Sequence, residues 1–179
     1  MMPRRPLALV AAIAGAISLA GCVPEPAPTP TPTPNGFASE EEAFAAAEET
    51  WNEYVTAVND VDLRNADTFE PLYELTVGDF NADVREEYSR NHAEGWTTSG
   101  DAATKSFQPV SYDAKTHQVV AISCLDVSEV QAFDASGESV VDPERRDLQA
   151  LEITFTLRPE KADARISDVS GSASESICE

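Results

Sequence analysis

The hydrophobic period of this chain changes once, and that change limits the folds open to it. In the first half, Phe44, Ala47, Trp51, Tyr54, Val55 and Val58 recur at helical spacing, with Glu48, Asn52 and Glu53 off that face. Further on, Leu151, Ile153, Phe155 and Leu157 alternate with Glu152, Thr154 and Thr156, which is the period of a strand with one buried face. Helical periods come first and strand periods follow, without interleaving. That order predicts an α+β domain: N-terminal helices packed on a curved antiparallel sheet.

Local signals place the elements. Ser39 with Glu42 three residues on forms a capping box, so a first helix is expected from about 40 to 59, ending near Asn59-Asp60. Residues 60–67 are polar and read as a loop. Thr68 to Val77, with Pro71 in its first turn, reads as a short helix. Gly78-Asp79 breaks the chain. Asp79 or Asn81 is then expected to cap a third helix to about Ala93, with Phe80, Val84 and Tyr88 on one side and Gly95 at its exit. Strands are expected around Phe107–Val110, His117–Val127, Leu148–Leu157 and Arg165–Val169, with turns at Asp113–Thr116, Asp134–Gly137 and Arg158–Asp163.

Upstream of this domain the chain has a different character. Met1–Arg5 is short and basic, and Leu7–Ala20 is an apolar run of about 14 residues, too short for a bilayer span and right for a signal-peptide core. The run ends Leu19-Ala20-Gly21-Cys22, which resembles the lipobox of bacterial lipoproteins. The resemblance implies that residues 1–21 are a signal peptide and that Cys22 is diacylated and becomes the new N-terminus. Two acyl chains anchor stably where one is marginal. The expected location is the extracytoplasmic face of a cell membrane. Residues 22–36 form a Pro/Thr-rich tether, with Pro at 24, 26, 28, 30, 32 and 34. Such a run favours extended polyproline II and spans roughly 40 Å. Thr29, Thr31 and Thr33 fit either a bare spacer or a glycosylated stalk. The folded domain is expected over 37–179.

Charge and cysteines narrow the partners. Net charge is −20, and about −22 once Arg4 and Arg5 leave with the signal segment. Such a surface is repelled by phosphate backbones, which excludes nucleic acid as a partner. It keeps an exported domain soluble, and it leaves a cationic peptide, a basic protein or divalent cations open. Of the remaining two cysteines, Cys124 lies mid-strand and Cys178 in a polar tail. In an oxidising compartment they are expected to form one disulfide; two free thiols or a metal pair are the alternatives, and the zinc spacing is poor.

The succession of one long helix, two short ones and a strand meander ending Arg165-Ile166-Ser167-Asp168-Val169 resembles the nuclear transport factor 2-like (NTF2-like, SnoaL-like) superfamily over about 40–171. Ala164 stands where that family often has Trp. The resemblance implies a cone, in which a bent sheet wraps the long helix and leaves a pocket at one end. Trp51, Tyr54, Tyr88 and Trp96 are candidates to line that pocket, or plain core. Asp126 is the candidate acid/base group by position alone.

No nucleophile elbow, HExxH, P-loop or dinucleotide motif occurs in the chain. His92 and His117 read as a helix-end and a turn residue. The groups Asp60, Asp62, Asp67 and Asp134, Glu138, Asp142 do not match EF-hand spacing. No catalytic residue, metal or cofactor is therefore assigned. The expected function is a membrane-tethered, non-enzymatic module that binds a protein partner or small ligand at the cell envelope. A SnoaL-like isomerase or cyclase is the alternative, and a homodimer through the sheet is a third arrangement.

Overall fold

A computed structural model describes residues 36–179. The signal segment, Cys22 and the tether up to Asn35 lie outside the described residues. Helix α1 runs Glu40–Asn59. Ser39 is its N-cap: its backbone is extended and its hydroxyl accepts from the Glu42 N–H at 3.2 Å. The Glu42 carboxylate returns to the Ala38 N–H, one residue before the cap. Glu40, Glu41 and Glu42 in the first turn suit the positive end of the helix dipole. The helix ends where the sequence predicts, and its last side chain ties it to the start of the sheet. Asn59 donates to the Ala102 carbonyl and accepts the Ala102 N–H, both at 2.9 Å.

The short second helix is realised in two pieces. A 3₁₀ turn at Ala66–Phe69, capped by the Asn65 side chain on the Asp67 N–H, runs into α2 at Glu70–Glu74. Helix α3 spans Gly78–Ala93. Its start corrects the expected cap: Val77 occupies the cap position without a side-chain bond. The Asn81 amide is taken by the α2–α3 corner instead, donating to the Tyr73 carbonyl at 2.8 Å and to Thr76 Oγ1 at 2.6 Å. The corner is also pinned to the sheet edge, with Val77 N–H donating to Ile166 O and Ile166 N–H to Leu75 O. The chain leaves α3 through Gly95 at φ +72°, as expected.

Strands β1 (Thr97–Ser99) and β4 (Gln131–Phe133) pair as a two-stranded ribbon that the sequence reading missed. At Gly100, beside that ribbon, a Cβ would fall 1.9 Å from the Glu129 carbonyl oxygen, so only glycine fits. The main sheet holds β2 (Ala103–Asp113), β3 (Gln118–Asp126), β5 (Leu148–Arg158) and β6 (Asp163–Gly171) in that order, all antiparallel. Pro109 sits on edge strand β2, where a missing donor costs no ladder bond. Bulges in β2 and between β5 and β6 bend the sheet. The structure is thus α+β, helices on an antiparallel sheet, with the expected Cys124–Cys178 disulfide formed.

Register explains the core. Val119 faces Phe155, Ala121 faces Ile153, and Ile166 and Ala164 continue the row from Phe155 and Leu157. All are buried against Ala43, Ala47, Trp51 and Val55 of α1. A second cluster joins Ala57 and Leu63 to Phe69, Leu72, Tyr73 and Val84. The outer sheet face is mostly polar, with Gln118, Glu152, Thr154 and Thr156 on it. Because Phe155 is fully buried and packs edge-on to Phe107, Phe155→Ala should destabilise the domain by about 3–5 kcal/mol in urea unfolding. A loss below about 1 kcal/mol would contradict this account of the core.

Candidate functional site

Helix α1 has two faces, and only one is used for packing. The other carries Glu48, Glu49, Asn52, Glu53, Thr56 and Asp60, and it borders an open trough of about 850 Å³. Pro71, Glu74 and Leu75 of the α2 segment form the opposite wall, and Arg165 of β6 joins it. The positions from Ala45 to Asp60 make the trough about 22 Å long at 1.5 Å per residue. Ala57 and Leu75 are nearly buried and give it an apolar floor.

Electrostatics sets its character. Five carboxylates line the trough, those of Glu48, Glu49, Glu53, Asp60 and Glu74. Among the described residues none of them forms an ion pair, although the acids of the pairs Asp62–Arg64, Glu70–Arg85 and Glu86–Arg90 do. Among the described residues the one cation in the lining is Arg165. It donates to the Ala164 carbonyl at 2.6 Å and lies 3.5 Å from Asp163, which also takes a bidentate bond from Arg158. With five carboxylates against one guanidinium, the trough is a strip of net negative charge over a narrow apolar base.

The residues singled out by sequence lie elsewhere. Trp51 is fully buried and stacks on Tyr54 with ring centres 5.7 Å apart. Tyr54 approaches Phe80, while Tyr88 meets Phe69 edge-on at 5.6 Å. Trp96 packs against the second cluster. None of the four lines the trough. Burial raises the Tyr54 phenol from 10.0 to about 12, with Glu87 adding to the effect, and burial pushes Tyr88 up as well. Trp51, Phe107 and Phe155 fill the space between α1 and the sheet.

Nor do the polar candidates assemble. Asp126 corrects the expected acid/base group. It accepts from Ser128 and pairs with the Lys105 ammonium at 2.9 Å, and these contacts hold its carboxyl at about 2. A group ionised so firmly has no proton to deliver near neutral pH. His92 Nδ1 bonds the Leu63 carbonyl at 2.6 Å, and the ring sits edge-on to Phe69. His117 lies in the β2–β3 turn at φ +55°, and its carbonyl accepts the Leu157 N–H. Asp134 is spent on its own turn, accepting from Ser136 and Glu138. No group of three or more His, Cys, Asp or Glu is arranged to hold a metal among the described residues.

One signal for the trough was present in the sequence. Helix α1 contains six Glu and no Lys or Arg, so its outer stripe has no cation of its own to pair with. The position of Arg165 beside it had no such signal, because β6 reaches the helix only through the fold.

Against known proteins the sequence matches no family model and no curated protein. Solved structures resemble the fold in outline. The intermembrane space region of the chloroplast protein ARC6 is 16% identical, covers 73% of this chain and 96% of its own, and has a TM-score of 0.49. A protein named as a putative aromatic ring hydroxylase, from Novosphingobium aromaticivorans, is 13% identical over 79% of this chain and 99% of its own, at 0.48. Aln2 from a Streptomyces species is 11% identical over 73% and 90%, at 0.43. Likenesses this distant transfer no activity.

The Asp126 geometry gives a measurable result. Its folded value lies below the ordinary 3.8, so its contribution to stability is complete above about pH 4 and is lost as pH falls toward about 2. Carboxyl titration by NMR should show Asp126 ionising near 2, and Lys105→Ala should raise that midpoint. A midpoint near neutrality would restore Asp126 as an acid/base group.

Proposed function

We propose that this chain is a lipid-anchored, extracytoplasmic domain of the NTF2-like type that binds a basic protein segment along the α1–α2 trough and catalyses no reaction. The unpaired carboxylates over an apolar floor carry this reading. A cationic amphipathic helix would match the trough in charge, in length and in its narrow apolar base. A homodimer through the outer sheet face would have to bury Glu152 and a row of threonines without evident partners, which favours the trough as the binding surface. A SnoaL-like isomerase or cyclase needs a poised acid or base facing a cavity; Asp126, ionised and paired with Lys105, is no acid and only a weak base.

Anchoring completes the proposal. Lipidated Cys22 would hold the domain on a tether of roughly 40 Å, while the acidic surface keeps it off anionic headgroups. Partitioning in Triton X-114 tests this part. The full chain should enter the detergent phase, and Cys22→Ala should remain in the aqueous phase. A Cys22→Ala protein still in the detergent phase would remove the lipobox reading.

The trough is tested with a synthetic Lys/Leu amphipathic helix and fluorescence anisotropy. Glu49→Lys with Glu53→Lys should weaken binding at least about tenfold, and salt should weaken it too. Glu144→Lys with Glu152→Lys changes the net charge equally, away from the trough, and should have a small effect. Equal loss in both double variants would mean general attraction to an acidic protein, and the trough assignment would fall.

A further inference from the structure

We infer that the Cys124–Cys178 disulfide is a redox-operated latch that holds the C-terminal segment over one end of the sheet, and that opening it leaves the folded body in place. The bridge joins unequal partners. Cys124 is fully buried in β3. Register places it opposite Ala150, on the outer face of the sheet, away from Val119 and Ala121. Cys178 ends a single 3₁₀ turn, Glu175–Cys178, that contributes no buried residue. Neither hydrophobic cluster contains a residue beyond Val169. A bridge between two core elements would staple the fold; this one staples a segment that comes after the last core residue.

Without the bridge little else holds that segment. Ser172 N–H donates to the Ala150 carbonyl at 2.8 Å where the chain leaves β6. Ser106 Oγ donates to the Ile177 carbonyl at 2.8 Å. Arg146 pairs with Glu175 at 2.7 Å, but both side chains are well exposed, and such a pair contributes little. The sulfur open to attack is that of Cys178, which is half-buried and borders a depression of about 220 Å³ with Arg146 and Leu148. Cys124 is shielded.

The chemistry is ordinary exchange with a dithiol reductant. Its thiolate attacks Cys178 Sγ, forming a mixed disulfide, and Cys124 leaves as a thiolate that takes up a proton. The reductant's second thiol then attacks its own sulfur in the mixed disulfide and releases Cys178 as a thiol. The protein gains two electrons and two protons, and the reductant ends as a disulfide. The released segment uncovers the Cys124 thiol, Ala150 and the already half-exposed Leu148. This inference does not depend on the trough.

The test is hydrogen exchange by mass spectrometry on the full-length chain, oxidised and after dithiothreitol, with peptide-resolved alkylation. Exchange in residues 172–179 should rise at least about tenfold, while β3 and β5 stay within about twofold, and both Cys124 and Cys178 should become alkylated. The Cys178→Ser chain should show the same pattern without reductant. The reduced wild-type chain, folded before reduction, decides the matter if that variant does not fold. Three results would overturn the latch: loss of protection in β3 and β5 together with the tail, a tail and Cys124 that stay protected after reduction, or a bridge that dithiothreitol cannot open in the folded state.

Discussion

The packing of one stripe of α1 on the inner face of the sheet is the contact on which the rest of the domain depends. Trp51 and Val55 meet Phe155 and Ile153 there, in the largest buried cluster among the described residues. At about 25 cal/mol per Å² of apolar surface, a few such side chains outweigh any hydrogen bond or ion pair in the structure. Once that stripe is fixed, the other face of α1 must point outward. The acidic trough is thus a geometric consequence of the core: the helix that carries Trp51 inward carries Glu49 and Glu53 outward.

What the sequence made legible were features whose cause is local. The Ser39–Glu42 cap, the helical stripe of α1 and the alternation in β5 each arise within a few residues, and all are realised. The start of α3 was misplaced because Asn81 found better partners at the α2–α3 corner, a tertiary contact that overrides cap preference. Strands β1 and β4 are three residues each and hold no alternating pattern of their own. They exist because Thr97–Ser99 happens to face Gln131–Phe133 across the loop that Gly100 lets pass close to Glu129. The disulfide was legible by counting. So was its pinning of the polar tail onto the sheet, since Cys124 lies mid-strand and Cys178 in that tail; the face of β3 on which it does so was not, because that depends on register.

The aromatic residues show why pocket and core are hard to separate in a sequence. Trp51, Tyr54, Tyr88 and Trp96 have the amphipathic rings that line ligand sites, and equally the bulk that fills a small domain. Volume decided the outcome here. Phe107 on β2 and Phe155 on β5, with β3 between them, reach into the same space and pack edge-on, so the space under the helix is occupied by side chains. The resulting low polarity shows in the raised Tyr54 phenol, which burial makes a poor acid. With no ionisable group poised there, a binding surface has to be sought on the outside of the helix.

The trough also breaks a local rule. Glu49 and Glu53 stand four residues apart on α1, and Glu70 and Glu74 do so across α2. Like charges at that spacing oppose a helix by about 0.2–0.5 kcal/mol per pair, and no Lys or Arg in α1 offsets them. First-turn glutamates are different, because the helix dipole rewards Glu40, Glu41 and Glu42. Solubility accounts poorly for the mid-helix acids, since the chain is strongly acidic without them. The burial of Trp51 is large enough to carry the repulsion, so the fold tolerates it. A basic segment lying in the trough would convert that repulsion into attraction. Unfavourable local choices that a stable core sustains are where a surface is shaped for something other than folding.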